Sequence, residues 1–182
     1  MPDRSLIDWV ASLSKALSAA GAKHALAGGL AVAVWARPRA TVDIDLVVVG
    51  DDATIDATRE ACRGLGLLQT RRRIAAFRRI RMLRMSIPPT LTRETISVDF
   101  LFVPETLEKD LLARAQPRML SGAKVPVASA EDTVLLKLLR FDDQDRVDIR
   151  AIASEQRLDR RYLFRMAKRL RVLTRLQAIG LR

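Results

Sequence analysis

The sequence predicts an α/β fold, and two observations carry that prediction. Apolar residues at helical spacing alternate along the chain with short β-branched runs at strand spacing, in the order helix, strand, helix, strand, helix, several strands, then helices to the end. A chain of 182 residues with 49% hydrophobic content is also long and apolar enough to bury a sizeable core. No internal repeat or low-complexity linker interrupts it. Residues 1–128 read as the α/β core and 129–182 as a helical C-terminal extension packed on that core as one domain.

The elements follow in order. Leu6, Val10, Leu13 and Leu17 place an apolar stripe on a first helix, and Gly21 suits its C-terminal cap. Lys23 to Ala27 reads as a short strand, Gly28-Gly29 as a strand-to-helix turn, and Leu30 to Trp35 as the helix that follows. Pro38 ends that helix near Arg37, because the residue before proline is pushed out of α geometry. The run Asp43-Ile44-Asp45-Leu46-Val47-Val48-Val49 is a strand, and Asp51 to Cys62 a third helix closed by Gly64 and Gly66. Leu67 to Ile87 supplies two strands and Ile96 to Val103 another, with Pro88-Pro89 in the loop between. Pro104 opens a helix to about Ala115, since proline is tolerated in a first turn. A later helix starts at Ser129, an N-cap with Asp132 three residues on, and buries Val134, Leu135, Leu138 and Leu139.

Chemistry concentrates on three acids. Asp43 and Asp45 are two residues apart on a strand, so both carboxylates point the same way, with Cα atoms roughly 7 Å apart at about 3.3 Å rise per residue. Asp99 sits in Ile96-Ser97-Val98-Asp99-Phe100-Leu101-Phe102-Val103, an apolar strand where an acid costs desolvation energy unless it is paired or binds an ion. Taken singly, Asp43 or Asp99 reads equally well as a strand cap or an arginine partner. Three acids on neighbouring strands instead suggest a site for one or two divalent metals and phosphoryl or nucleotidyl transfer. Gly28-Gly29 completes the group, because glycine permits close approach of a ligand and a helix N-terminus offers free N–H groups to an anion.

These stretches resemble the nucleotidyltransferase superfamily that includes DNA polymerase β, and more closely its AbiEii-type branch among bacterial toxin–antitoxin proteins. The matching segments are Gly28-Gly29, Arg39-Ala40-Thr41-Val42-Asp43-Ile44-Asp45, Val98-Asp99-Phe100, Ala130 to Leu139 and Asp145-Arg146-Val147-Asp148-Ile149. The resemblance implies a mixed-sheet nucleotidyltransferase fold. It implies that Gly28, Gly29, Arg39 and Thr41 bind nucleotide, that Asp43, Asp45 and Asp99 hold magnesium or manganese, and that Lys137 and Asp148 are catalytic or nucleotide-contacting. The reaction it implies moves a nucleotidyl group from a nucleoside triphosphate to an acceptor hydroxyl. Two departures stand out: many members have Gly-Ser where this chain has Gly28-Gly29, and a basic residue where it has Gln144. Helical spacing by itself puts Lys137 beside Arg140 on the side away from the core, an ordinary solvated basic face; the resemblance instead places Lys137 at the triphosphate.

Composition narrows the partners. A net charge of +11 and a pI near 11.0 predict attraction to polyanions, with RNA the natural candidate. Two clusters carry the charge: Arg71-Arg72-Arg73 with Arg78, Arg79, Arg81 and Arg84, and the C-terminal Arg160, Arg161, Arg165, Lys168, Arg169, Arg171 and Arg175 around Leu163, Met166, Leu170 and Leu173. Aromatic residues are only 4% of the chain, so contacts to phosphates rather than base stacking should dominate. Charge and the toxin-branch resemblance favour RNA, including the 3′ end of a tRNA, over an aminoglycoside-like acceptor, with a cognate antitoxin or toxin protein as partner. The other class of function is a binding protein or antitoxin that keeps the fold without turnover. Cys62 is the single cysteine, which excludes an intramolecular disulfide and fits a reducing cytoplasm. His24 alone cannot make a zinc site, and no apolar run is long enough for a membrane span.

Overall fold

The computed structural model describes residues 4–38, 40–70, 75–77, 80–103 and 112–181. Helix α1 (Leu6–Ala19) leads into β1 (His24–Leu26), α2 (Gly28–Trp35), β2 (Ile44–Val49) and α3 (Asp52–Gly64). Strands β3 (Leu68–Gln69), β4 (Ala75–Phe77), β5 (Ile80–Ile87) and β6 (Ile96–Val103) follow, then β7 (Gln116–Leu120) and β8 (Ala123–Val127). Four helices end the described chain: α4 (Ala130–Arg140), α5 (Asp143–Glu155), α6 (Arg160–Arg169) and α7 (Leu173–Ala178).

Local chemistry sets the helix starts. Ser5 and Asp8 form a reciprocal capping box on α1, Asp51 accepts from Thr54 N–H at α3, and Ser129 accepts from Asp132 N–H at α4. Asp142 and Asp145 form a second capping box on α5. Phe141, between α4 and α5, takes a left-handed conformation at φ 66, which folds α5 back against α4.

The strands make one mixed sheet in the order β3-β5-β6-β2-β1-β8-β7, with β4 paired to β5. β2 is its centre, parallel to β6 and antiparallel to β1. Ile44, Leu46, Val47 and Val48 are all fully buried, the near-continuous apolar run of a strand covered on both faces. Each such side chain contributes roughly 1.5–3 kcal/mol of burial. Phe100 and Phe102 on β6 and Trp9, Leu13 and Leu17 on α1 fill the same core. Two side-chain bonds tie the later helices to α2: Trp35 Nε1 donates to Ala128 O at 2.7 Å, and Gln156 Nε2 donates to Trp35 O at 2.7 Å.

Three sequence expectations change. The segment 67–87 forms three strands among the described residues rather than two, because the chain from Ala75 to Phe77 doubles back on β5. Of the helix expected from Pro104 to Ala115, residues 104–111 lie outside the described residues, and 112–115 form a turn closed by Ala115 N–H to Leu112 O at 3.0 Å. The β7–β8 hairpin was not anticipated. Its turn holds Ser121 and Gly122 at positive φ, a turn signal between two short alternating runs.

His24 and Cys62 are structural. The His24 ring is held between Ala22 O at Nδ1 and Ser14 Oγ at Nε2, both at 2.8 Å, and burial lowers its pKa, so it stays neutral. Burial pushes the Cys62 thiol up to about 12, which leaves it unreactive.

Candidate active site

The acids gather around β2. Asp43 is exposed, one residue before the strand, and Asp45 is half-buried on it. Parallel pairing sets Asp45 directly against Asp99 of β6. α2 closes the third side. A Cβ on Gly28 would collide with the Asp45 carboxylate, and Gly28 has φ +60, so glycine is required here by both space and backbone geometry. The N-cap of α2 is Ala27, which makes no side-chain cap bond; the first-turn N–H groups therefore lack the acceptor that a serine or aspartate cap would give them.

Electrostatics at Asp45 are unbalanced. Its pKa is raised to about 6, first by burial, then by the charges of Asp99 and Asp43, with Lys137 and Arg140 opposing the shift. Asp99 has a partner of its own: Arg84 on β5 bonds it in a bidentate fork, Nε to Oδ1 and Nη2 to Oδ2, each at 2.6 Å. The arginine-partner reading of Asp99 thus holds alongside its place opposite Asp45. Among the described residues no three acids, cysteines or histidines are assembled as a ready metal cluster. The donor chemistry nevertheless fits a hard divalent cation, since Asp45 and Asp99 occupy paired positions on β2 and β6 and the like charges of Asp99 and Asp43 disfavour ionisation of Asp45.

Lys137 differs most from its sequence reading. Spacing put it on a solvated face; the structure buries it to 6% exposure. The cause is tertiary, because α5 folds against α4 and brings two acids to the ammonium. Lys137 Nζ lies 2.9 Å from Asp145 Oδ1 and 2.7 Å from Asp148 Oδ2. Gln144 Nε2 donates to Asp148 Oδ1 at 2.9 Å, so Gln144 supports Asp148.

Asp145 and Arg140 were not singled out as site residues. Asp145 accepts from Lys137, from Arg140 Nε at 2.9 Å and Nη2 at 3.0 Å, and from Asp142 N–H at 3.2 Å. Burial opposes its ionisation, but the Arg140 and Lys137 hydrogen bonds outweigh burial and its pKa is lowered. One buried carboxylate therefore anchors two cations, of which Arg140 keeps a largely exposed side chain. The readable signal was the Asp142-x-x-Asp145 capping pattern.

The remaining site expectations fall as follows. Gly28 and Gly29 are the first two residues of α2, and Thr41 is half-buried in the loop before β2. Arg39, Arg71, Arg72 and Arg73 lie outside the described residues, as do Arg78 and Arg79.

Comparison with known proteins points the same way as the geometry. The family described as "Nucleotidyl transferase AbiEii toxin, Type IV TA system" matches residues 12–173. The solution structure of the antibiotic-resistance factor ANT(2'')-Ia resembles this chain at TM-score 0.60 and 13% identity, over 96% of this chain and 94% of that one. Its crystal structure with adenylyl-2''-tobramycin gives TM-score 0.55 at 14% identity over 95% of each chain. An antigenic nucleotidyltransferase-like protein from Paracoccidioides brasiliensis gives TM-score 0.52 at 18% identity, over 95% of this chain and 91% of that one. At such identities the likeness establishes the fold. No curated protein sequence matches this chain.

Proposed function

Because this chain belongs to the AbiEii nucleotidyltransferase toxin family, we propose that it moves a nucleotidyl group from a nucleoside triphosphate to a hydroxyl of an RNA acceptor, as the toxin of a toxin–antitoxin pair. The observation that carries the reading is the pairing of Asp45 with Asp99 beside the start of α2, with Lys137 and Arg140 within electrostatic reach of Asp45.

In this reading Asp45 and Asp99, with Asp43 at the rim, hold magnesium or manganese. A divalent ion bound there would supply charge neutralisation to the triphosphate and to the attacking and leaving oxygens. Gly28 and Gly29 let the triphosphate approach the α2 N-terminus, whose N–H groups favour an anion. Arg39 and Thr41 are proposed nucleotide contacts from the sequence resemblance. Lys137 presents a fixed positive charge to the phosphates, and Arg140, one turn on, presents a second from the exposed side. Asp145 and Asp148 are positioning residues that fix both cations. The acceptor oxygen bonds to the α-phosphorus, the bond to the β-phosphate breaks, pyrophosphate leaves and the hydroxyl proton passes to solvent. Cations held in advance offset the charge that develops on the leaving group without reorganising at that moment.

An RNA acceptor is supported by the net charge of +11, with Arg71, Arg72 and Arg73 among the proposed contacts. None of the described helices is long and apolar enough to cross a membrane. The likeness to ANT(2'')-Ia, seen with adenylyl-2''-tobramycin, supplies the competing acceptor, an aminoglycoside. Incubating the protein with each α-labelled nucleoside triphosphate, magnesium, and either total RNA or tobramycin separates them. Label in RNA alone is the expected result. Label in tobramycin alone would replace the acceptor, and no label with any nucleotide would favour a binding protein without turnover.

A further inference from the structure

We propose that the exposed face of α6 docks the phosphate backbone of the acceptor RNA, with one nucleotide seated in the cavity at the N-terminal end of that helix. This rests on the RNA-acceptor reading and assigns it a surface. From Gln156 to Arg182 the chain carries nine basic residues and one acid, Asp159, which accounts for eight of the eleven net positive charges. A merely solvated face mixes both signs, whereas the exposed charged residues of α6 itself, Arg160, Arg161, Arg165, Lys168 and Arg169, are all basic. Asp159 is itself committed, capping α6 through Tyr162 N–H at 3.0 Å and facing Arg114 at 3.6 Å.

The orientation of the helix is fixed by its core side. Tyr162, Leu163, Met166 and Ala167 are buried, so Arg161, Arg165 and Lys168 are left exposed. They form one row at i, i+4 and i+7, with neighbours spaced by about 5–6 Å. That spacing suits successive phosphates of one nucleic-acid strand. Arg165 is steadied by the Tyr162 ring, its guanidinium 5.4 Å from the ring centroid.

At the start of the row lies a cavity of about 540 Å³, whose lining includes three arginines, Arg157, Arg160 and Arg161, one acid, Asp159, and the apolar Leu158 and Leu181. Its size is within the roughly 300–1,000 Å³ of small-ligand sites. Guanidinium groups beside apolar side chains match a nucleotide, which presents a phosphate next to a flat apolar base. The cavity shares no lining residue with the acids of the active site, which makes it distinct from the triphosphate site.

The test is fluorescence anisotropy of a labelled oligouridylate with the full chain, between about 50 and 200 mM salt. The triple variant R161Q/R165Q/K168Q removes three exposed charges without touching the core, so its melting temperature should match wild type. Each lost phosphate contact lowers the slope of log affinity against log salt by about 0.7, so the variant should lose about two units of slope. Its affinity at low salt should fall at least tenfold, while binding of free nucleoside triphosphate is unchanged. An L158W variant, which fills the cavity, should weaken oligouridylate binding and lower the slope by about 0.7, the one phosphate seated there; unchanged binding would remove the cavity from the site. If wild type binds oligouridylate and the triple variant keeps its full slope and affinity, this surface is wrong while the RNA acceptor stands. If wild type binds phosphatidylserine vesicles and no oligouridylate, both fail and the face is a membrane-binding one.

Discussion

Asp45 and Asp99 stand opposite one another on two adjacent parallel strands, yet among the described residues only Asp99 has a bonded cation, Arg84. Asp45, with burial and two like charges against it, is the destabilised member of the pair. A group of that kind is tolerated in a buried strand where function needs it.

The first prediction concerns pH. The folded-state pKa of Asp45, about 6, lies above its ordinary value of 3.8. Its contribution to stability is therefore full below pH 3.8 and is lost as pH rises through 6. Asp45→Asn should flatten that loss and stabilise the metal-free protein at pH 7.5 by about 1–3 kcal/mol. Urea unfolding in the presence of a chelator at pH 5 and pH 7.5 measures it. A variant less stable than wild type at pH 7.5 would contradict the charge imbalance.

Lys137→Ala should be strongly destabilising. It leaves Asp145 and Asp148 buried without their shared cation, a loss of about 3–5 kcal/mol for one partner of a buried pair. Adding Asp148→Asn to Lys137→Met should recover part of that loss, with a coupling of about 0.5–3 kcal/mol in a double-mutant cycle. Strict additivity would mean that the two side chains do not interact.

Gly28→Ala should disturb the site before it disturbs the fold. A side chain at φ +60 costs about 1–3 kcal/mol, and its Cβ must displace the Asp45 carboxylate. Nucleotide binding should fall at least tenfold, measured by calorimetry on folded variant. Binding at wild-type affinity would mean that Asp45 need not sit against α2.

Tyr162→Phe tests the joint between α4 and α6. Tyr162 donates to Asp132 Oδ1 at 2.5 Å, and the Asp132 carboxyl is raised to about 6 by burial despite that bond and the one from Ser129. Removing the phenol should cost about 1–3 kcal/mol. The loss should be larger at pH 7.5, where Asp132 is ionised, than at pH 5. An equal loss at both values would place the effect in packing alone.

Much of the sheet was legible because β-branched alternation is local. The run from Ile44 to Val49 and that from Ile96 to Val103 announce themselves as strands, and their acids with them. The burial of Lys137 was not legible, since helical spacing groups it with Arg140. Only the Phe141 turn, which brings Asp145 and Asp148 back onto α4, distinguishes the two. The β7–β8 hairpin was missed because its strands bury little, with only Val125 and Val127 fully inside, and carry Pro117 and Pro126, residues that weaken a strand signal. Arg84 was counted with a surface cluster, because nothing in sequence marks it as the partner of an acid fifteen residues away.

The most direct test of the central claim is calorimetric titration of a non-hydrolysable nucleoside triphosphate into wild type and Asp45→Asn, with and without magnesium. Wild type should bind the nucleotide tightly only when magnesium is present, and Asp45→Asn should lose at least tenfold in affinity, about 1.4 kcal/mol, while remaining folded. Magnesium-independent binding of equal strength by both proteins would contradict an active site built on Asp45 and Asp99.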